Sequence, residues 1–145
     1  MTTTVRDPGP TVGELMSLEP VTIGVDEPVT TAEQLMTERR ISGLPVVDRA
    51  GSLVGVISQT DLVRAHASGQ SLDAWPGLAV RHLMTAPALT VRMDEPLLVA
   101  ARRMEANRVH RLVVIAPDGA HPVGVISTMD LVSELAELLE QGNVR

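Results

Sequence analysis

Two constellations in this chain place residues where they could do chemistry. One occurs twice: Ser58-Gln-Thr-Asp61 and Ser127-Thr-Met-Asp130 set a hydroxyl three residues ahead of a carboxylate. At a helix start this spacing makes a variant of the capping box, in which two orphan backbone N–H groups are satisfied. The same pair can also meet a ligand. The carboxylate can accept a ligand's hydroxyl groups, while the serine and the helix N-terminus face polar or anionic groups. The residues alone weigh these readings evenly, and the two roles are compatible. The second constellation is His110-Arg111, which occurs once. Arginine offers phosphate a fork of donors, and histidine adds a donor and, when protonated, a charge. Its plain alternative is an exposed basic pair ahead of a buried strand.

Other chemistries lack their residues. The chain has no cysteine, which excludes disulfides and thiolate metal or redox sites. All twelve basic residues are arginine, so neither a Schiff-base lysine nor a P-loop lysine is available. His66, His82 and His121 have no partner spacing for a metal, and no HExxH motif occurs. No Gly-x-Ser-x-Gly elbow appears, and neither Ser58 nor Ser127 has a convincing base. A catalytic function is therefore not expected. The net charge of −6 argues against phosphate-driven nucleic-acid binding. With no Phe, no Tyr and only Trp75, stacking platforms for single strands are missing too. No apolar run is long enough to span a membrane, and the N-terminus lacks the apolar core of a secretory signal. A cytoplasmic location is the expectation.

The elements that must position these residues are written twice. Val54-Gly-Val-Ile-Ser58 recurs as Val123-Gly-Val-Ile-Ser127, Asp26-Glu-Pro28 as Asp94-Glu-Pro96, and Leu15-Met16 as Leu83-Met84. The offset is 68 up to Gly51 and 69 from Val54, the extra residue falling in the turn at Asp118–Pro122. Two repeats follow, at residues 12–68 and 80–141, with tails at 1–11 and 142–145 and a linker at 69–79. Trp75 reads first as pinning that linker, with covering a cleft or packing at a dimer interface as its alternatives. Each repeat reads β-α-β-β-α. A short apolar turn leads to a strand near Thr22–Val25 or Leu89–Val91. Asp-Glu-Pro then opens a helix, because Pro suits a first turn and acids suit the positive end. Leu97, Ala100, Ala101 and Met104 make an amphipathic stripe on the second of these helices; Val29, Ala32, Leu35 and Met36 make a weaker one on the first. Two apolar strands and a last helix, opening at Ser58 or Ser127, complete each repeat. The last helix of repeat 2 carries Leu131, Val132, Leu135, Leu138 and Leu139, a face broad enough to pack on something beyond its own repeat. Arg39, Arg40, Arg102 and Arg103 read as solvated charges on or ending helices. Each repeat is too small to stand alone, so a shared core is expected.

The tandem β-α-β-β-α pattern, with Gly-Val-Ile-Ser-x-x-Asp opening each last helix, resembles a pair of cystathionine-β-synthase (CBS) domains. The resemblance covers residues 12–141 and includes Leu-Met-Ser/Thr and Ile41-Ser-Gly-Leu-Pro-Val-Val47. It implies an α/β (α+β) fold of two pseudo-symmetric repeats packed through their small sheets. It implies a free-standing, non-catalytic regulatory module that binds AMP, ADP, ATP or S-adenosylmethionine in clefts between the repeats and signals by conformational change. It also implies a homodimer forming a disk of four repeats, with no cofactor required. Residue by residue, Ser58, Asp61, Ser127 and Asp130 would bind ribose. Thr22, Ile23, Ser42, Gly43, Leu44, Pro45, Ile57, Thr90, Val91, Leu112 and Ile126 would line the adenine pockets, partly through backbone groups. Arg108-Val-His-Arg-Leu-Val-Val114 is similar to the segment of the AMP-activated protein kinase gamma subunit whose His and Arg reach the nucleotide phosphates, which would give His110 and Arg111 that role. Repeat 1 has Ser42-Gly43 there instead, so the two clefts would differ. The alternative is a ligand-free dimerisation or protein-interaction module, in which the Ser-x-x-Asp motifs only cap helices.

Overall fold

Asp-Glu-Pro does more than start a helix. In the computed structural model, which describes residues 9–18, 20–67 and 77–142, Pro28 and Pro96 are the N-caps of α2 (Val29–Arg39) and α5 (Leu97–Asn107). The glutamate carbonyl just before each proline accepts a hydrogen bond from a four-residue helix. Val12 of α1 (Val12–Leu15) donates to Glu95 O at 2.9 Å, and Val80 of α4 (Val80–Leu83) donates to Glu27 O at 2.8 Å. Gly13 N to Met93 O and Arg81 N to Val25 O repeat the match, as do Leu97 N to Pro10 O and Val29 N to Leu78 O. Each short helix is thus docked by the same three backbone bonds. Sequence periodicity could not have placed them, because four residues show no stripe.

The chain forms two compact units. Unit 1 comprises residues up to Leu18, Thr90–Gly119 and Val123 onward. Its sheet runs β1 (Ser17–Leu18), β7 (Pro122–Ser127), β6 (Arg111–Ile115), β5 (Thr90–Arg92). Unit 2 comprises Glu19–Leu89 and Ala120–Pro122, with a sheet ordered β2 (Ile23–Gly24), β3 (Gly43–Val47), β4 (Leu53–Ser58). In both, the first strand of the repeat pairs in parallel with the second: Ile23 faces Val46, and Val91 faces Val114. The last helices are α3 (Gln59–Ala67) and α6 (Thr128–Glu140). They begin one residue after the expected Ser58 and Ser127 because each serine is extended backbone closing a strand. Thr22, expected on a strand, lies just before β2, whereas Thr90 is in β5. Trp75 lies outside the described residues.

Buried side chains form two clusters. One holds Ile23, Val29, Ala32, Met36, Leu44, Val46, Ile57, Leu62 and Val80. The other holds Val12, Val91, Ala100, Met104, Leu112, Val114 and Ile126. The helix stripes supply both: Ala32 and Met36 in one, Ala100 and Met104 in the other. Val12 and Val80 complete the exchange, each fully buried in the cluster built mainly from the other sequence repeat.

Candidate functional site

The recurring Val-Gly-Val-Ile-Ser strand delivers its serine to the start of the last helix. In unit 1, Ser127 Oγ accepts from Asp130 N at 3.3 Å and donates to Asp130 Oδ2 at 3.1 Å, while Ser127 N donates to the same oxygen at 2.7 Å. In unit 2 the same three contacts join Ser58 and Asp61, at 3.2, 3.0 and 2.8 Å. Both motifs are complete capping boxes, so the structural reading of the spacing holds.

What differs is the second carboxylate oxygen. Asp61 Oδ1 accepts from Thr85 Oγ1 at 2.9 Å and lies 3.8 Å from the Arg64 guanidinium. The whole residue is only 7% exposed, the one buried charged side chain among the described residues. Asp130 is partly exposed, and its Oδ1 has no hydrogen bond among the described residues. Thr85 was not singled out in the sequence. Its signal was there, as the polar residue that follows Leu-Met in both repeats.

The segment before each second strand reaches the same corner. Thr128 N and Oγ1 both donate to the His110 carbonyl, at 2.9 and 3.2 Å, and Gln59 N donates to the Ser42 carbonyl at 2.9 Å. His110 therefore sits against the start of α6, and Ser42 against the start of α3. An open groove of about 380 Å³ in unit 1 is lined by His110, Thr128 and Leu131 together with Met104, Glu105 and Arg108. Arg111 opens β6 with its side chain exposed.

Six residues expected in the adenine pockets, Ile23, Leu44, Ile57, Val91, Leu112 and Ile126, have side chains packed in the two cores. Only their backbone groups can face a ligand. Thr22, Ser42, Gly43 and Thr90 are partly exposed. The Thr90 carbonyl is already engaged by Arg103 Nη1 at 2.7 Å, and the same nitrogen lies 3.5 Å from Glu95. Arg103 is thus a half-buried tether rather than the solvated charge expected. Among the described residues, no group of three or more His, Asp or Glu is placed to hold a metal, and no helix is long and apolar enough to cross a membrane.

The CBS domain family model matches residues 12–68 and 80–137. The chain belongs to the CBS domain family. Its fold agrees: a CBS domain protein from Pyrobaculum aerophilum complexed with AMP superposes with a TM-score of 0.77, at 27% identity over 92% of this chain and 99% of that one. Among relatives by sequence, the gamma-3 subunit of 5'-AMP-activated protein kinase from Bos taurus is 33% identical over 74% of this chain. Homoserine O-acetyltransferase from Methanococcoides burtonii is 31% identical over 83% of it. This CBS pair spans only about a quarter of each, 22% and 23% of their lengths.

Proposed function

We propose that this CBS pair is a regulatory, non-catalytic module that binds an adenosine-type ligand, with AMP, ADP, ATP and S-adenosylmethionine as the candidates. The observation that carries the reading is the Ser127–Asp130 corner. It offers an open carboxylate oxygen beside a helix N-terminus whose Thr128 holds the His110 carbonyl, with Arg111 next in the chain. The acid suits a vicinal diol, and the helix start and basic pair suit an anion. The AMP-bound relative of the same fold supports the choice of nucleoside. Adenine contacts at Thr22–Ile23, Ser42–Pro45 and Thr90–Val91 would run through backbone groups, since the apolar side chains there are committed to the cores. A bound ligand would shift the module between arrangements by its differential affinity for them. We place the protein in the cytoplasm and read it as a homodimer.

One observation favours an interaction role alongside ligand binding. Met129, Val132, Leu135 and Leu139 on α6 are each about half or more exposed, and no residue of α6 is buried. A second copy of the chain is the occupant this reading assigns to that face.

A thermal-unfolding screen tests the ligand reading, using the four candidates with GMP and CMP as controls. A ligand at 100 times its Kd adds about 2.7 kcal/mol, a rise of roughly 5–10 °C for a chain of this size. A rise with an adenosine compound and none with the controls is expected. No rise with any compound at millimolar concentration overturns the reading and leaves the interaction role.

A further inference from the structure

The two Ser-x-x-Asp corners differ because of what lies beside Gly55. A Cβ at Gly55 would stand 2.7 Å from the Thr85 carbonyl oxygen, so only glycine lets that backbone come so close. Once there, Thr85 is pinned by reciprocal bonds to Val56, Val56 N to Thr85 O at 2.9 Å and Thr85 N to Val56 O at 2.8 Å. That places residue 85 across from β4, two residues before Ser58. The threonine hydroxyl then reaches Asp61 Oδ1, and its β-branch restricts the rotamers that could take it away.

A carboxylate has about four lone-pair sites. At Asp61, Ser58 N and Ser58 Oγ take two, Thr85 Oγ1 takes a third, and the Arg64 guanidinium stands 3.8 Å from the oxygen holding the fourth. At Asp130, Ser127 N and Oγ take two, and Oδ1 keeps both of its own. A vicinal diol brings two donors, so Asp130 can receive it without breaking a bond and Asp61 cannot. The register does not explain the difference. Ser17 pairs with Val125, the equivalent of Val56, and the neighbouring Gly124 is just as crowded, yet no hydrogen bond joins the Ser17 side chain to Asp130. What distinguishes the two positions is threonine in one and serine in the other.

We propose that Thr85 locks the Asp61 carboxylate into the fold and so removes it from ligand binding, leaving Asp130 as the carboxylate that receives a ligand's vicinal diol. The assignment to Asp130 rests on the adenosine reading above; the lock on Asp61 does not.

Isothermal titration with AMP reads the first part, on the wild type and on Asp61→Asn, Asp130→Asn and Ser17→Thr. Asp130→Asn should weaken AMP by about 30-fold, the loss of charged hydrogen bonds to the diol. Asp61→Asn should leave AMP affinity within about twofold of wild type. Ser17→Thr, by supplying the missing clamp, should weaken AMP by about tenfold. Two equal sites per chain in the wild type, or equal losses in Asp61→Asn and Asp130→Asn, would overturn the assignment. The lock is read without ligand, by a thermal double-mutant cycle of Asp61→Asn and Thr85→Val. Each should lower the Tm, and together they should lower it by clearly less than the sum. Additive losses sink the lock. Should Thr85→Val fail to fold, Thr85→Ser keeps the hydroxyl and loses only the branch that holds it, and the same sub-additive cycle is expected. A wild type that binds none of the four candidates defeats the adenosine reading, and the thermal cycle alone then decides the lock.

Discussion

Arg40 and Arg108 adopt the same left-handed backbone, φ 53° and ψ 45°, at the C-caps of α2 and α5. An L residue pays roughly 1 kcal/mol for that conformation, which is why glycine usually ends helices this way. Neither arginine side chain has a hydrogen bond or ion pair among the described residues that would offset it. Arg40→Gly should therefore raise the Tm by about 3 °C in calorimetry; a fall would mean that the arginine stem contributes packing. The sequence offered no sign of this strain, since an arginine ending a helix looks favourable on charge alone. The Ser-x-x-Asp corners, in contrast, were legible because the interaction spans three residues and repeats. Thr85 was not, because its bond to Asp61 crosses 24 residues and depends on strand register. Arg103 was misread for the same reason: its partner, the Thr90 carbonyl, lies 13 residues away on another element.

At the scale of elements, the amphipathic stripes of α2 and α5 predicted burial well, and the recurring strand and last helix fell within a residue of expectation. The four-residue helices α1 and α4 carry what the pattern missed. Val80 is fully buried in a cluster whose other fully packed members come from the first sequence repeat, and Val12 in one whose others come from the second, each accompanied by partly buried neighbours from its own short helix. Removing two methyl groups from such a site costs about 2 kcal/mol, transfer and cavity terms together. Val80→Ala should thus lower stability by about that amount in urea unfolding, with m unchanged. A loss under about 0.5 kcal/mol would show that α4 is dispensable to the core it enters. Leu83, in the same short helix but only partly buried, should tolerate alanine better.

For the molecule as a whole, α6 is the element whose composition and environment disagree. Its apolar face was visible in the sequence, but what covers it was not, because a stripe records burial without naming the partner. Charging that face at Leu135 separates assembly from folding, since Leu135 is 52% exposed and α6 meets the core through the partly buried Leu131. Leu135→Glu should shift sedimentation from dimer to monomer while leaving the unfolding transition of the chain intact. A wild type that sediments as a monomer would remove the homodimer reading. The exchanged helices α1 and α4 also set what half of this chain could do alone. Cut between the repeats, each half would carry the valine that fills the other's core, Val12 or Val80, and would lack the one that fills its own.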